Sequence, residues 1–303
     1  MLCCKSILSI WLSLLVLYVI ASSDASAKEV FLIRPHSAEQ PLEESFRYQL
    51  FDLVLSVTKK QFGDYSIKGY QGKISQDRVM DLISRGIKFR IIATMTSEKR
   101  ENILQPIRIP LLKGLIGHRI FIIKAGEQAI YSGIQSLAEL KKLRAIQGHD
   151  WPDTEILIAN GFTVVKSPDY LGIFDMLQLN RADYFPRGVG EPWTEVIQHA
   201  DKKLQIEQTI MLQYDAPYYF FVRKNDMSLY NRIKTGLQII MASGQFDRLF
   251  YNYPGHQSMI NKANMAQRRL FRIKNPFLKV NPFKGGRYRY QPGEEKRFMH
   301  SAD

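Results

Sequence analysis

The sequence predicts an α/β protein built as two lobes joined by extended crossovers, on three observations. Compact apolar runs of strand length alternate with stretches of helical periodicity from residue 29 to about residue 250. The alternation is interrupted by a non-repeating segment carrying Pro106 and Pro110, after which a second α/β series begins. The chain has 303 residues, 45% of them hydrophobic and 12% aromatic, which is enough to bury a large core and divide it between two lobes.

Residues 1–27 stand apart from this pattern. Lys5 precedes an apolar run over residues 7–20, and small and polar residues follow, ending in Ala25-Ser26-Ala27. A charged start, a short apolar stretch and an A-x-A site make an export signal, so the mature chain is expected to begin at Lys28. A retained anchor needs roughly 20 apolar residues, more than this run supplies. Both cysteines, Cys3 and Cys4, fall inside the signal. The mature chain is therefore expected to have no disulfide, no thiol chemistry and no thiolate metal site, and to be soluble in a bacterial periplasm.

In chain order, EVFLIR at residues 29–34 reads as a buried parallel strand stopped by Pro35. Residues 44–61 carry a helical stripe of Phe46, Leu50, Phe51, Leu53, Val54 and Val57. Residues 65–70 form a second strand and 75–84 a helix with a serine cap and an Arg85-Gly86 stop. Residues 89–93 form a third strand. HRIFIIK at 118–124 is a further strand. Then follow strand 143–146, helix 153–160, strand 163–165, helix 169–179, strand 182–185 and helix 191–199. Residues 204–212 read as extended, YYFFV at 218–222 as a strand, 227–243 as a helix stopped at Gly244, and 246–250 as a short turn of helix. From Tyr251 onward Pro, Gly and Asn become frequent and no regular structure is expected.

The stretch IQGHDWPDTEILIANG at 146–161 is a strand end, a turn opened by Gly148 and a helix stopped by Gly161. Pro152 suits a first helical turn, where its missing N–H leaves nothing unpaired, and a helix start with free amides favours an anion. The net charge of +13 is concentrated in residues 268–297, where ten Lys or Arg face two Glu. This tail is read as a solvated basic face. No base-reading motif accompanies it, so nucleic acid is not an expected partner.

Four stretches in this order resemble the type II periplasmic solute-binding proteins of the amino-acid-binding group, solute-binding family 3. MTSEKR at 95–100 follows the third strand, where the family has a Thr-x-Glu-Arg type segment. Gln147-Gly148 stands where a Gln-x-Gly turn opens the second lobe. NRAD at 180–183 is similar to the family's strand start, and SGQFDRLF at 243–250 to its C-terminal helix. The resemblance covers about residues 28–251. It implies a discontinuous first lobe, about 28–121 plus 219–303 with the basic tail at 252–303, and a second lobe over 122–218. It also implies a hinge of two crossover strands near Ile123 and Lys124 and near residues 217–219, with ligand in the cleft.

By the same resemblance Arg100 aligns with the arginine that grips a ligand carboxylate, a task suited to a planar two-pronged donor. Ser97 would add a hydroxyl, and the amides of Gly148 and His149 would close on the carboxylate from the second lobe. Asp150 and Asp153 compete with an anion at that helix start, or cap it. Where the family places an acid to hold a ligand ammonium, about five residues after Asp183, this chain has FPRG at 185–188. Glu191 and Asp150 are the nearest acids. Arg187 would instead suit a second anionic group, which points to an organic anion or dicarboxylate. Tyr70, Trp151, Tyr184 and Trp193 are candidates to sandwich the apolar part of a ligand. His36 and His149 lie at strand ends expected to face the cleft.

Three functions follow from this cleft: capture of a small carboxylate-bearing solute, amino-acid-like or an organic anion, for an ABC-type permease; presentation of ligand to a membrane receptor; and a dehydratase. The last would need Glu191 or Asp183 with a raised pKa. The sequence has no Ser/His/Asp order, no His/Asp metal spacing and no phosphate loop. A non-enzymatic, monomeric binding protein with no cofactor and no metal is the expectation.

Overall fold

The computed structural model describes residues 28–34, 41–72, 74–286 and 288–299. The expected export signal with Cys3 and Cys4, and the candidate His36, lie outside these residues. Among the described residues no helix is long and apolar enough to cross a membrane.

The first lobe opens with β1 (Glu29–Ile33), and α1 (Phe46–Val57) follows from Ser45, whose hydroxyl accepts the Tyr48 N–H. α1 ends with its apolar stripe at Val57, where the Thr58 hydroxyl turns back onto the Val54 and Leu55 carbonyls, and one further helical turn follows at Lys59–Phe62. β2 (Tyr65–Gly69) lies parallel to β1. Next come α2 (Gln76–Ser84), β3 (Ile91–Met95), α3 (Glu98–Ile103) and the short β4 (Gln105–Ile107). β3 begins two residues later than predicted because Phe89 is held in a turn by its N–H on the Ile87 carbonyl and points into the core.

The larger sheet belongs to the second lobe. Its members are β5 (His118–Lys124), β6 (Arg144–Gly148), β7 (Thr163–Ser167), β8 (Tyr184–Gly188), β9 (Leu204–Ile206) and β10 (Ile210–Gln213). α4 (Pro152–Ala159) follows β6, α5 (Tyr170–Gln178) follows β7 and α6 (Pro192–Gln198) follows β8. β6 is parallel to β7 and β8, while β5 runs antiparallel to β8, β9 and β10. The predicted extended run over 204–212 divides at Glu207, whose buried carboxylate accepts the N–H groups of Thr209 and Ile210. β11 (Tyr218–Val222) then returns to the first lobe, where it lies between β3 and β4 and antiparallel to both. That return makes the first lobe discontinuous. α7 (Met227–Ala242) packs across α1, and α8 (Gln245–Asn252) follows.

Four features differ from the sequence expectations. The outbound crossing lies at Gly117, which accepts the Tyr214 N–H at 3.1 Å, and not near Ile123 and Lys124. Those two residues pair with β8 and β9 inside the larger sheet, because the apolar run of β5 is buried there along its length. The tail also has regular structure: α9 (Pro254–Lys262) and β12 (Arg269–Arg272), the latter parallel to β10 at the edge of the larger sheet. Nor is its positive charge simply solvated. Arg268 is buried against Glu207, and Arg289 pairs with Asp215 at 2.8 Å. The segment at Lys274, expected on the first lobe, exchanges hydrogen bonds with Asn160 at the end of α4.

Candidate functional site

β3 delivers the chain to the cleft. Ser97 caps α3 by accepting the Arg100 N–H at 3.3 Å, so its hydroxyl already serves the helix. The cap sets Arg100 in the first turn with its side chain folded back under the strand end. Its Nη1 donates to Thr94 Oγ1 at 2.5 Å and to the Met95 carbonyl at 3.0 Å. Nη2 reaches across to the second lobe and donates to the Asp150 carbonyl at 3.3 Å. Arg100 is only 2% exposed, yet the partners it has among the described residues are all neutral oxygens. Burial pulls its pKa below the ordinary value, with Asp77, Asp150 and Asp153 acting the other way. A buried cation without a carboxylate is a position that an anion stabilises.

Two arginines that the sequence reading passed over stand on the same side. Arg34 directly follows β1 and donates Nε to the Ile74 carbonyl at 2.8 Å. Arg47, on α1, lies over the Tyr218 ring with its guanidinium carbon 5.3 Å from the centroid. Arg34, Arg47 and Gln76 line a cavity of about 40 Å³ over an apolar floor that includes Phe51 and Phe220. That is room for a water or two. Thr94 links this cavity to Arg100, donating Oγ1 to Gln76 Oε1 at 2.7 Å while it accepts from Arg100. The signal for Arg34 was its place at a strand end, the argument that singled out His36. Arg47 sits on the helix that carries the apolar stripe, and sequence gives no sign that it turns towards the cleft.

The second lobe meets this face with the turn after β6. Gly148 is buried and the Trp151 indole lies on it, since a Cβ there would stand 2.6 Å from the ring. The expectation that the amides of Gly148 and His149 close on an anion is corrected in its second half. The His149 N–H donates to the Ser167 carbonyl at 2.9 Å, extending the β6–β7 ladder, and the His149 side chain is exposed. What the turn presents to Arg100 is the Asp150 carbonyl. Thr154 closes the turn by donating Oγ1 to the Gly148 carbonyl at 2.7 Å.

Arg187 is also corrected as a holder of a second anion. Its Nε donates to both Glu195 oxygens at 3.0 and 2.9 Å, and Nη2 lies 3.0 Å from Glu191 Oε1. Burial alone would lower its pKa, but Glu191 and Glu195 outweigh that and hold it above the ordinary value. Glu191 is equally engaged, accepting the Gly188 N–H at 2.7 Å, so it is not a free acid for an ammonium. α6 follows β8 so closely that its buried face carries Glu195 onto the strand residue Arg187. Asp153 accepts from Arg119 Nη2 at 2.5 Å and from the Tyr214 hydroxyl, closing a buried charged network beside the crossover. Asp183 is tied to Arg144. Burial raises its pKa, but the Arg144 hydrogen bonds prevail and hold it below the ordinary value, opposite to what a dehydratase acid needs.

The aromatic candidates divide. Trp151 is half-buried at the cleft corner, stacked on Phe185 at 6.0 Å with the Arg187 cation 5.0 Å above its ring. Tyr70 packs edge-on against Phe89 at 5.4 Å under Lys88. Tyr184 is fully buried against Phe121, and Trp193 is anchored by Nε1 on the Val189 carbonyl at 2.8 Å, so these two are packing residues.

No protein-family model matches the sequence, and no curated protein matches it. Solved structures do match in shape. An ancestral arginine-binding protein bound to arginine superposes with a TM-score of 0.53 at 17% identity, over 75% of this chain and 99% of that one. The arginine-, lysine-, histidine-binding protein ArtJ from Geobacillus stearothermophilus gives 0.55 at 15% identity, over 75% and 96%. A histidine kinase sensor domain with similarity to periplasmic binding proteins gives 0.54 at 15% identity, over 76% and 96%. The chain has the two-lobed α/β fold of the type II periplasmic binding proteins.

Proposed function

We propose that this chain captures a small carboxylate-bearing solute between its lobes, outside the cytoplasm, and delivers it to a membrane permease. The observation that carries the reading is Arg100: a buried guanidinium where the two lobes meet, bonded only to neutral oxygens among the described residues. A carboxylate would take up its two-pronged edge and replace the single bond to the Asp150 carbonyl. In doing so it would couple the lobes through itself. The export signal at residues 1–27 supports a periplasmic place of action.

A sensor role is the second reading, favoured by the histidine kinase sensor domain of the same fold. It uses the same cleft and differs in the membrane partner. Catalysis has no such support, because Asp183 and Glu191 are both held as ion-paired carboxylates.

The test is a thermal-shift screen of mature protein against amino acids and di- and tricarboxylates, repeated with Arg100→Ala. Wild type should gain several degrees with at least one carboxylate and return it chemically unchanged. Arg100→Ala should keep its circular-dichroism spectrum and lose the ligand-induced gain. An undiminished gain in the variant would refute the assignment. Crosslinking in membranes then separates a permease from a receptor.

A further inference from the structure

We infer that the cleft is built for a short dicarboxylate, with Arg100 holding one carboxylate and Arg34 and Arg47 holding the other. This rests on the reading above and names its ligand class. The inference begins with charge. Three guanidiniums approach the Tyr218 corner of the first lobe, and from the second lobe the acid that acts on both Arg34 and Arg100 is Asp150. Glu191 and Glu195 are spent on Arg187, and Asp153 on Arg119. Asp77 pairs with Lys99. Among the described residues the corner therefore keeps an excess of positive charge, which a dianion neutralises and a zwitterion does not.

Geometry agrees. Arg47 makes no ion pair or hydrogen bond among the described residues; its contact is the Tyr218 ring, which fixes the cation from one side and leaves its N–H edge for an acceptor. Tyr218 is itself fixed, donating its hydroxyl to the Ala93 carbonyl at 2.7 Å. Arg34 is pinned by its bond to the Ile74 carbonyl, and it lines one small opening together with Arg47. The Gln76–Thr94–Arg100 chain of hydrogen bonds sets that opening beside the Arg100 guanidinium. Burial and the neighbouring Arg47 both lower the Arg34 pKa, the mark of two cations sharing a dry site.

Isothermal titration of the mature protein with succinate, 2-oxoglutarate, butyrate, L-arginine, L-glutamine and inorganic phosphate tests this, on wild type, Arg47→Gln, Arg34→Gln and Arg100→Ala. Succinate or 2-oxoglutarate should bind tightest. Arg47→Gln and Arg34→Gln should each weaken that binding about 10- to 100-fold, the scale of one charged hydrogen-bond contact, and leave butyrate binding unchanged. Arg47→Lys should recover part of the loss, because it restores charge without the fork. Circular dichroism of each variant checks the fold. Tight L-arginine or L-glutamine binding that needs Arg100 but not Arg47 would overturn the dicarboxylate inference and leave the proposed function standing. Phosphate binding that depends on Arg34 and Arg47, with no response to dicarboxylates, would overturn the ligand class. If no carboxylate binds at all, both fall.

Discussion

The ring of His256 is enclosed by Phe46, Phe250 and Tyr253, with centroids 4.3, 4.2 and 4.9 Å away, and its Nδ1 lies 2.9 Å from the Phe250 carbonyl. Burial pushes its pKa down to about 4. His118, at the start of β5, is also lowered to about 4, by burial first and by Arg289 and Arg272, against a hydrogen bond to Gly114. Both folded values lie below the ordinary 6.5, so the fold favours the neutral ring. Their contribution is complete above about pH 6.5 and is lost as the pH falls through 4. Each should cost on the order of 2 kcal/mol between pH 7 and pH 4.5. Urea midpoints across that range should show the decline, and His256→Gln should flatten it; an equal slope in the variant contradicts the assignment. The same scale shows what sequence reveals about a site. Arg100 was singled out by the resemblance of its segment after the third strand, whereas the serine cap and the bonds to Thr94, Met95 and Asp150 that place its side chain came only with the structure. Arg187 was misread because Glu195, eight residues on, becomes its partner only when α6 folds against β8. Arg47 went unseen because its direction depends on Tyr218, far along the chain.

α1 and α7 cross closely at Gly236. A Cβ there would stand 2.6 Å from the Val54 carbonyl and 2.7 Å from a Val54 methyl, and backbone cannot swing aside as a long side chain can. Gly236→Ala should therefore force the helices apart and lower stability by about 1–3 kcal/mol, despite alanine's better helix propensity. A melting temperature equal to or above wild type would mean that the crossing is looser than this. Elements of this kind were readable from periodicity, since the strands and helices of residues 29–250 carry their apolar faces in their own sequence. β4 was not, because three residues with a central proline give no alternation to read. β12 was missed for a related reason: RLFR stands among Gly, Pro and Asn, and it is a strand because β10 offers it an edge. Local pattern announces an element that buries its own face. It is silent about one that completes another's ladder.

The tail makes one object of the two lobes and their hinge. β12 lies on β10, which lies on β5, so the crossover is flanked by a third strand. Asp215, in the returning crossover, accepts from Asn275 through its carbonyl at 2.9 Å and from Asn281 and Arg289 through its carboxylate at 2.6 and 2.8 Å. Further on, Glu294 accepts from Tyr251 at 2.6 Å and pairs with Lys113, and Phe298 stacks on Tyr251 at 5.4 Å, all in the first lobe. A segment bonded to the sheet of one lobe and to a helix of the other opposes their separation, because opening must break one of the two attachments. The ligand-free protein should then open less than its fold allows. Arg289→Ala with Asn281→Ala removes the grip on the Asp215 carboxylate while leaving the buried Arg268–Glu207 pair intact. Losing that pair would cost about 3–5 kcal/mol and confuse hinge freedom with unfolding. Small-angle scattering of the double variant should show a larger radius of gyration than wild type without ligand, and the same value with it. Equal radii in both conditions would mean that the hinge is set by β5 and β10 alone, and that the tail only covers an edge.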